Sequence, residues 1–285
     1  MTEIVTIMGS SGMLGAELSR QLIREGQAVR KVSRSESPLA RDPDSLARLL
    51  DGSSIVFNCL AFTDVELAES REPEALEVNG NFVGRLAAAC KKTGARLFHI
   101  STDYVFDGMS GVPYRTLDAP NPMTAYGRGK LAGERELLAS SCEFSIFRTS
   151  WLYGADGSNF AKVVARKLIA GDSVRVVHDQ IGSPTWSKDL SHLLMIYSTL
   201  NRVPRIVHAT ASGSCSWFEF AREIAISMGV DPDALVQPVS SSSYRSAASR
   251  PKFSVLDNSE GPIQPIRNWQ ERWRAAAPEV LASLD

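Results

Sequence analysis

Over the first 150 residues, short apolar runs alternate with amphipathic stretches, a glycine-rich turn follows the first run, and the runs are apolar on both faces. Together these predict an α/β chain: a doubly wound parallel sheet of the Rossmann type, with a smaller, interleaved C-terminal substrate-binding region.

The elements follow in order. Ile4 to Met8 reads as the first strand, closed by Gly9, and Leu14 to Glu25 as the helix after it. Ala28 to Val32, Ile55-Val56-Phe57, Ala95 to Ile100 and Phe144 to Phe147 are the next strands. The intervening helices are Pro43 to Leu50, Pro73 to Lys92 and Thr124 to Ala139. Pro73 and Gly94 sit where a helix start and stop favour them. Residues 1–150 are expected to hold the dinucleotide, joined by later strands at Val174 to Val177 and Ile206 to Ala209. Residues 151–285 are expected to be mainly substrate-binding, with helices from Ser187 to Leu200 and from Trp217 to Met228. The serine run Ser240 to Ser243 and the following Tyr244 to Arg250 read as a surface loop.

Composition narrows the function. A chain of 285 residues that is 44% hydrophobic can bury a sizeable core. A net charge of -1, from 31 basic and 32 acidic residues, leaves no basic excess for nucleic acid or an anionic membrane. No apolar run approaches the ~18 residues a membrane helix needs. Met1-Thr2-Glu3 leads into the first strand without a cationic leader, so a cytoplasmic location and a small-molecule substrate are expected. Cys59, Cys90, Cys142 and Cys215 lie far apart and away from the histidines, which predicts reduced thiols and no zinc site.

Two constellations carry chemistry. Gly9-Ser10-Ser11-Gly12-Met13-Leu14-Gly15 lies on the first strand-to-helix turn, where glycines allow close backbone approach and a helix N-terminus offers N–H groups to a pyrophosphate. Gly9, Ser11, Gly12, Met13 and Leu14 are therefore cofactor candidates; the bland reading is an ordinary turn. An acidic residue after the second strand would favour NAD, but Ser33-Arg34 stands there, which favours NADPH with NADH as the alternative. The second constellation is Tyr126 and Lys130. Four residues apart, they share a helical face, so an ammonium can lie near a phenol and a dinucleotide ribose at once. With a dinucleotide, the pair suggests hydride transfer to or from a carbonyl.

Further motifs add a resemblance along nearly the whole chain. They are Asn58 to Val65 with Glu69, His99 to Gly108, Pro113-Tyr114, Arg148 to Gly154, Asn159-Phe160, Asp179 to Thr185 and Arg250-Pro251. With these the sequence resembles the extended short-chain dehydrogenase/reductases, and within them the dTDP-4-dehydrorhamnose reductase family. The resemblance implies that NADPH delivers hydride to C4 of a dTDP-linked 4-keto-6-deoxyhexose. Tyr126 then protonates the oxygen, Thr102 hydrogen-bonds it, and Lys130 lowers the Tyr126 pKa and holds the nicotinamide ribose. It also implies cofactor contacts from Ser33, Arg34, Leu60 and Ala61, and a substrate side made by Thr63, Val65, Asp103, Tyr104, Trp151, Gln180 and Arg250. Asp179 and Gln180 could equally cap a turn.

The sequence departs from the family pattern at Cys59-Leu60, which adds bulk near the cofactor, and in the segment Ser33 to Pro43, which lacks the expected first aspartate. Some members hold magnesium between subunits; here Lys188 replaces one expected carboxylate, leaving Glu17 to pair with it. No metal, and a monomer or metal-independent homodimer, are therefore expected. Alternatives are a 4-ketoreductase for another nucleotide deoxysugar, an epimerase or dehydratase using Asp103, and a non-catalytic NADP-binding regulatory subunit resembling that of methionine adenosyltransferase. Thr102, Trp151 and the Asp179 to Thr185 motif argue against the last.

Overall fold

A computed structural model describes residues 3–36, 42–244 and 246–284. Residues 37–41 of the segment that lacks the expected aspartate, and Arg245 of the predicted surface loop, lie outside the described residues. Five parallel strands, β1 (Ile4–Met8), β2 (Ala28–Val32), β3 (Ser53–Asn58), β4 (Arg96–Thr102) and β5 (Phe144–Thr149), are joined at one edge by a sixth, Ile206–His208. The order is Ile206–His208, β5, β4, β3, β1, β2. Direction of winding reverses between β1 and β3, which opens a crevice at their carboxyl ends, the usual ligand position in such sheets.

Alternate strand residues fill two layers. Val5, Ile7, Phe57, Phe98 and Phe147 join one apolar core, while Met8, Val56, Leu97 and Ile146 join the other. Phe57, Phe98 and Phe147 form an aromatic ladder with successive ring centroids 5.3 Å apart. Helices cover both faces: α1 (Met13–Arg24), α2 (Pro43–Leu49), α3 (Val65–Ser70), α4 (Glu72–Leu76), α5 (Phe82–Thr93), α6 (Ala125–Ala139), α7 (Phe160–Ile169), α8 (Ser187–Ser198), α9 (Trp217–Ser227) and the C-terminal helix Trp269–Ala282.

Three expectations change. Helix Pro73 to Lys92 is interrupted: a π-type turn at Glu77–Asn81 separates α4 from α5. The turn aims the fully buried Asn79 at the loop after β3, where its Oδ1 accepts from Phe62 N at 2.9 Å and its Nδ2 donates to Phe62 O at 3.0 Å. Val174–Val177 does not join the main sheet; it pairs with Val236–Val239 in a separate two-stranded sheet. Helices α3, α7 and Trp269–Ala282 were not foreseen, because their stabilisation comes from packing rather than from a long local pattern.

The C-terminal region returns to the first in several places. Tyr114 N donates to Val255 O at 2.8 Å, Phe253 N donates to Gly108 O at 3.3 Å, and Pro251 packs so closely on Gly108 that a Cβ there would lie 2.3 Å from the ring. The Arg250-Pro251 motif thus has a packing role.

Helix α6 carries the Tyr126–Lys130 pair and approaches its neighbours through glycines. A Cβ on Gly133 would lie 2.2 Å from Asn79 O, and one on Gly127 2.2 Å from Tyr104 O. Its far end is locked by a buried ion pair. Glu134 accepts from Arg148 Nη2 at 2.7 Å, from Arg148 Nε at 3.0 Å and from Ser101 Oγ at 2.5 Å, so the helix is tied to β4 and β5 at once. Because no side chain fits between Gly133 and the Asn79 carbonyl of the π-type turn, Gly133→Val should destabilise the fold by about 1–3 kcal/mol or more. Urea unfolding checks this, and wild-type stability would show that α6 can retreat without loss.

Candidate active site

The cofactor turn is built by backbone geometry. Gly9 takes φ +79°, and its N–H donates to Val32 O at 2.8 Å. A Cβ there would lie 2.7 Å from Leu60 N, so only glycine lets the β1 turn touch the loop after β3. Helix α1 begins at Met13 behind Gly12, which offers no side-chain cap, so the first N–H groups keep their capacity to hold an anion. This cradle suits a dinucleotide pyrophosphate.

One cavity of about 580 Å³ runs from this turn to the Tyr–Lys pair. Of the residues expected from sequence, it is lined by Gly9, Ser11, Gly12, Met13, Leu14, Arg34, Leu60, Ala61, Thr63, Val65, Thr102, Asp103, Tyr104, Tyr126, Lys130 and Trp151. Ser33, Gln180 and Arg250 are not among its lining residues. Ser33 N is held by Glu36, and Arg250 pairs with Glu66, donates to Ser246 and hydrogen-bonds Tyr104. Asp179, beside Gln180, accepts from Ser240 Oγ and from the amide and hydroxyl of Ser241. It holds the serine run in place.

The start of α6 is fixed twice: Thr124 Oγ1 accepts from Gly127 N at 3.0 Å and Glu69 Oε1 accepts from Ala125 N at 2.8 Å. Tyr126 therefore faces Tyr104 edge-on, with ring centroids 5.8 Å apart. Burial pushes the Tyr126 phenol up to about 12, opposed by its hydrogen bond with Thr102. This corrects the expectation that Lys130 lowers it. Lys130 Nζ donates instead to Ile100 O at 2.6 Å and lies 3.3 Å from His99 Nε2, and its own burial pulls it down to about 8. At neutral pH the site therefore holds a protonated phenol, which suits donation to a developing alkoxide, and a cation on the same helix bonded to Ile100 O.

Trp151 makes the far wall. Its φ of +46° is unique among described non-glycine residues, and such strain, of order 1–3 kcal/mol, persists only where the surroundings enforce it. Here Trp151 O accepts from Thr185 N at 3.2 Å, Ser150 Oγ donates to Ser183 O at 2.7 Å, and Gly182 lies where a Cβ would meet the indole at 2.4 Å. The Asp179 to Thr185 motif is thus the cradle of Trp151. Trp217 stacks on the same indole at 3.4 Å with the planes 6° apart. Trp217 and Asn159 line the cavity but were not foreseen, and Cys59 lines it where its bulk was expected near the cofactor. Ser216 and Glu219 do form a capping box that marks the start of α9, yet nothing local tells where Trp217 points.

A phosphate-ready turn at the sheet's switch point, facing a Tyr–Lys pair across one cavity, defines a nicotinamide-dependent oxidoreductase. The sequence model of the RmlD substrate binding domain matches residues 2–285. The dTDP-4-dehydrorhamnose reductases of Mycobacterium tuberculosis H37Rv and Streptomyces griseus are 37% and 39% identical to this chain, covering 100% and 98% of it and 96% and 93% of themselves. The crystal structure of dTDP-4-dehydrorhamnose reductase from Bacillus anthracis in complex with NADP superposes with a TM-score of 0.89 at 32% identity, over 98% of this chain and 100% of that one. The chain belongs to the dTDP-4-dehydrorhamnose reductase (RmlD) family.

Tyr126→Phe should lower kcat at least ~100-fold with NADPH affinity nearly intact, since it removes a proton donor and little ground-state contact. Lys130→Ala should damage both. Single-turnover kinetics beside a cofactor titration checks this; near-normal turnover by Tyr126→Phe would dismiss the assignment.

Proposed function

We propose that this protein reduces the C4 ketone of dTDP-4-dehydro-L-rhamnose to give dTDP-L-rhamnose, using NADPH, in the cytoplasm. The observation that carries the reading is that Thr102, Tyr126 and Lys130 meet at one cavity whose near end is the Gly9 turn and whose far wall is Trp151. Residues 1–150 hold the dinucleotide and residues 151–285 mainly the sugar nucleotide.

The hydride comes from NADPH when it is bound. The Gly9 to Leu14 turn would take its pyrophosphate, Arg34 its 2′-phosphate, and Lys130 its nicotinamide ribose. Tyr126 gives its phenolic proton to the oxygen left on C4. Thr102 steadies that oxygen as a second donor, a contribution of the oxyanion-hole kind. Trp151 and the Trp217 stacked on it would give the pyranose an aromatic wall, while Thr63, Val65 and Tyr104 close the cavity around it. The direct test is to incubate the purified protein with NADPH and dTDP-4-keto-6-deoxy-L-mannose and follow NADPH absorbance. No consumption would reject the reading.

Arg34 is exposed at the cavity rim, where a guanidinium can fork two charge-assisted bonds to a phosphate. Arg34→Ala should therefore lower the ratio of kcat/KM for NADPH over NADH at least ~10-fold. An unchanged ratio would mean that the loop is merely solvated.

Assembly is read as monomeric, or dimeric without metal. In this fold Lys188 pairs with Glu279 at 2.7 Å, not with Glu17 as anticipated, and the Glu17 oxygens accept from Arg20 at 2.6 Å and Gln21 at 2.8 Å. The Glu17 oxygens are thus engaged by donors, and the ammonium at the other position is paired with a carboxylate. EDTA should leave molecular mass and activity unchanged; a mass that halves in light scattering would mean that other carboxylates complete a metal bridge.

A further inference from the structure

The hydroxyl of Thr102 is already committed. Thr102 Oγ1 accepts the Tyr104 N–H at 3.2 Å and donates to Asp103 Oδ1 at 3.0 Å, and it also hydrogen-bonds Tyr126. A hydroxyl has one proton and two lone pairs. With its proton on Asp103 and one lone pair on Tyr104, Thr102 has only a lone pair left for Tyr126, so the phenol must donate to it. Neither hydroxyl then points its proton at a substrate oxygen. Asp103 itself is 3% exposed and lines the cavity, and its Oδ2 is buried without a hydrogen-bond partner of good geometry. Such orphaned atoms are rare enough in folded proteins to call for an explanation.

Resting on the reading of this site as a ketone reductase, we propose that Asp103 is a positioning residue that gates both proton donors through Thr102. When the carboxyl is protonated, the hydrogen-bond direction reverses. The Asp103 O–H donates to Thr102 Oγ1, both threonine lone pairs are filled, and the Thr102 and Tyr126 protons turn to the ketone oxygen. When it is ionised, the carboxylate recaptures the threonine proton and places a like charge near the developing alkoxide, which opposes the reaction.

The surroundings set where this happens. Asp103 is faced by Tyr126 from α6, by Tyr104 in its own turn, itself hydrogen-bonded to Arg250, and by Ser254 from the returning C-terminal segment. Lys130 is turned away to His99 and Ile100. Burial pushes the Asp103 carboxyl up to about 6, while the Ser254 and Thr102 hydroxyls hold it down.

The experiment is the pH profile of kcat/KM from about pH 5 to 9 for wild type, Asp103→Asn and Thr102→Val, measured with NADPH and dTDP-4-keto-6-deoxy-L-mannose. Wild type should fall about ten-fold around pH 6, as a hydrogen-bond donor is lost, and again above about 8 as Lys130 loses its proton. Asp103→Asn and Thr102→Val should keep only the upper fall. A step near pH 6 that survives in Asp103→Asn belongs to another group, such as the cofactor's 2′-phosphate, and overturns the gate. Survival in Thr102→Val overturns it too, because Asp103 would then act directly.

A second arm needs no substrate. Because the folded pKa lies above the ordinary value of 3.8, the folded state holds this proton more tightly. Wild type should therefore lose Tm relative to Asp103→Asn as pH rises from about 4 through about 6, with a constant gap above. A gap that does not change with pH overturns the proposal whatever the substrate. Failure of the underlying reading looks different: NADPH stays unconsumed by wild type at every pH, and the gate falls with it.

Discussion

The buried Glu134–Arg148 pair is the constraint on which the site is hung. Both side chains are 1% exposed, so each charge has surrendered its hydration and depends on the other, and removing one partner of such a pair costs about 3–5 kcal/mol. The carboxylate lies one turn beyond Lys130 on α6, while the guanidinium comes from β5 and the Ser101 hydroxyl from β4. The Arg148 guanidinium also lies 5.1 Å over the Phe106 ring, which adds a cation–π contact. A helix pinned this way cannot slide or rotate, so the phenol and ammonium it carries keep their places relative to the carboxyl ends of the strands.

That rigidity lets low dielectric act on protonation. Burial is the largest reason why the Tyr126 phenol is pushed up, the Lys130 ammonium pulled down and the Asp103 carboxyl raised, since in each case it is the charged form that loses water; the Asp103 charge adds to the rise at Tyr126. His99 belongs to the same set: fully buried, 3.0 Å from Asn58 Nδ2 and 3.3 Å from Lys130, it is held well below the ordinary histidine range and stays neutral. The Glu134 carboxylate acts against this trend on Lys130, favouring its cationic form. The ion pair thus serves the chemistry electrostatically as well as mechanically.

The second half of the chain completes the cavity by returning to the first. Trp151 directly follows the β5–Ser150 junction and is held in a left-handed backbone by the segment around Thr185, and its indole packs against Gly182 and stacks on Trp217. Ser254, one residue from the Tyr114–Val255 backbone bond, reaches the back of Asp103. Substrate wall and proton machinery are therefore coupled through backbone contacts far apart in sequence.

The sequence by itself determined the alternating architecture, the cofactor turn and the Tyr126–Lys130 pair, because each is a local pattern: strand and helix periodicity, a glycine spacing, and a separation of four residues on a helix. Most of the residues it singled out line one cavity because the motifs containing them lie at strand ends, which the topology gathers in one crevice. Tertiary structure alone decided the rest. Val174–Val177 has a strand's pattern, but which partner it takes depends on where Val236–Val239 arrives. Pro73 to Lys92 has a helix's pattern, but the close approach of Gly133 and the bond between Asn79 and Phe62 accompany a π-type turn within it. Gln180 and Arg250 fall outside the lining and Trp217 within it, since the direction of a side chain is set by neighbours distant in sequence. The Tyr126 pKa rises where a neighbouring lysine suggested a fall, because desolvation is a property of the folded volume and no spacing of residues encodes it.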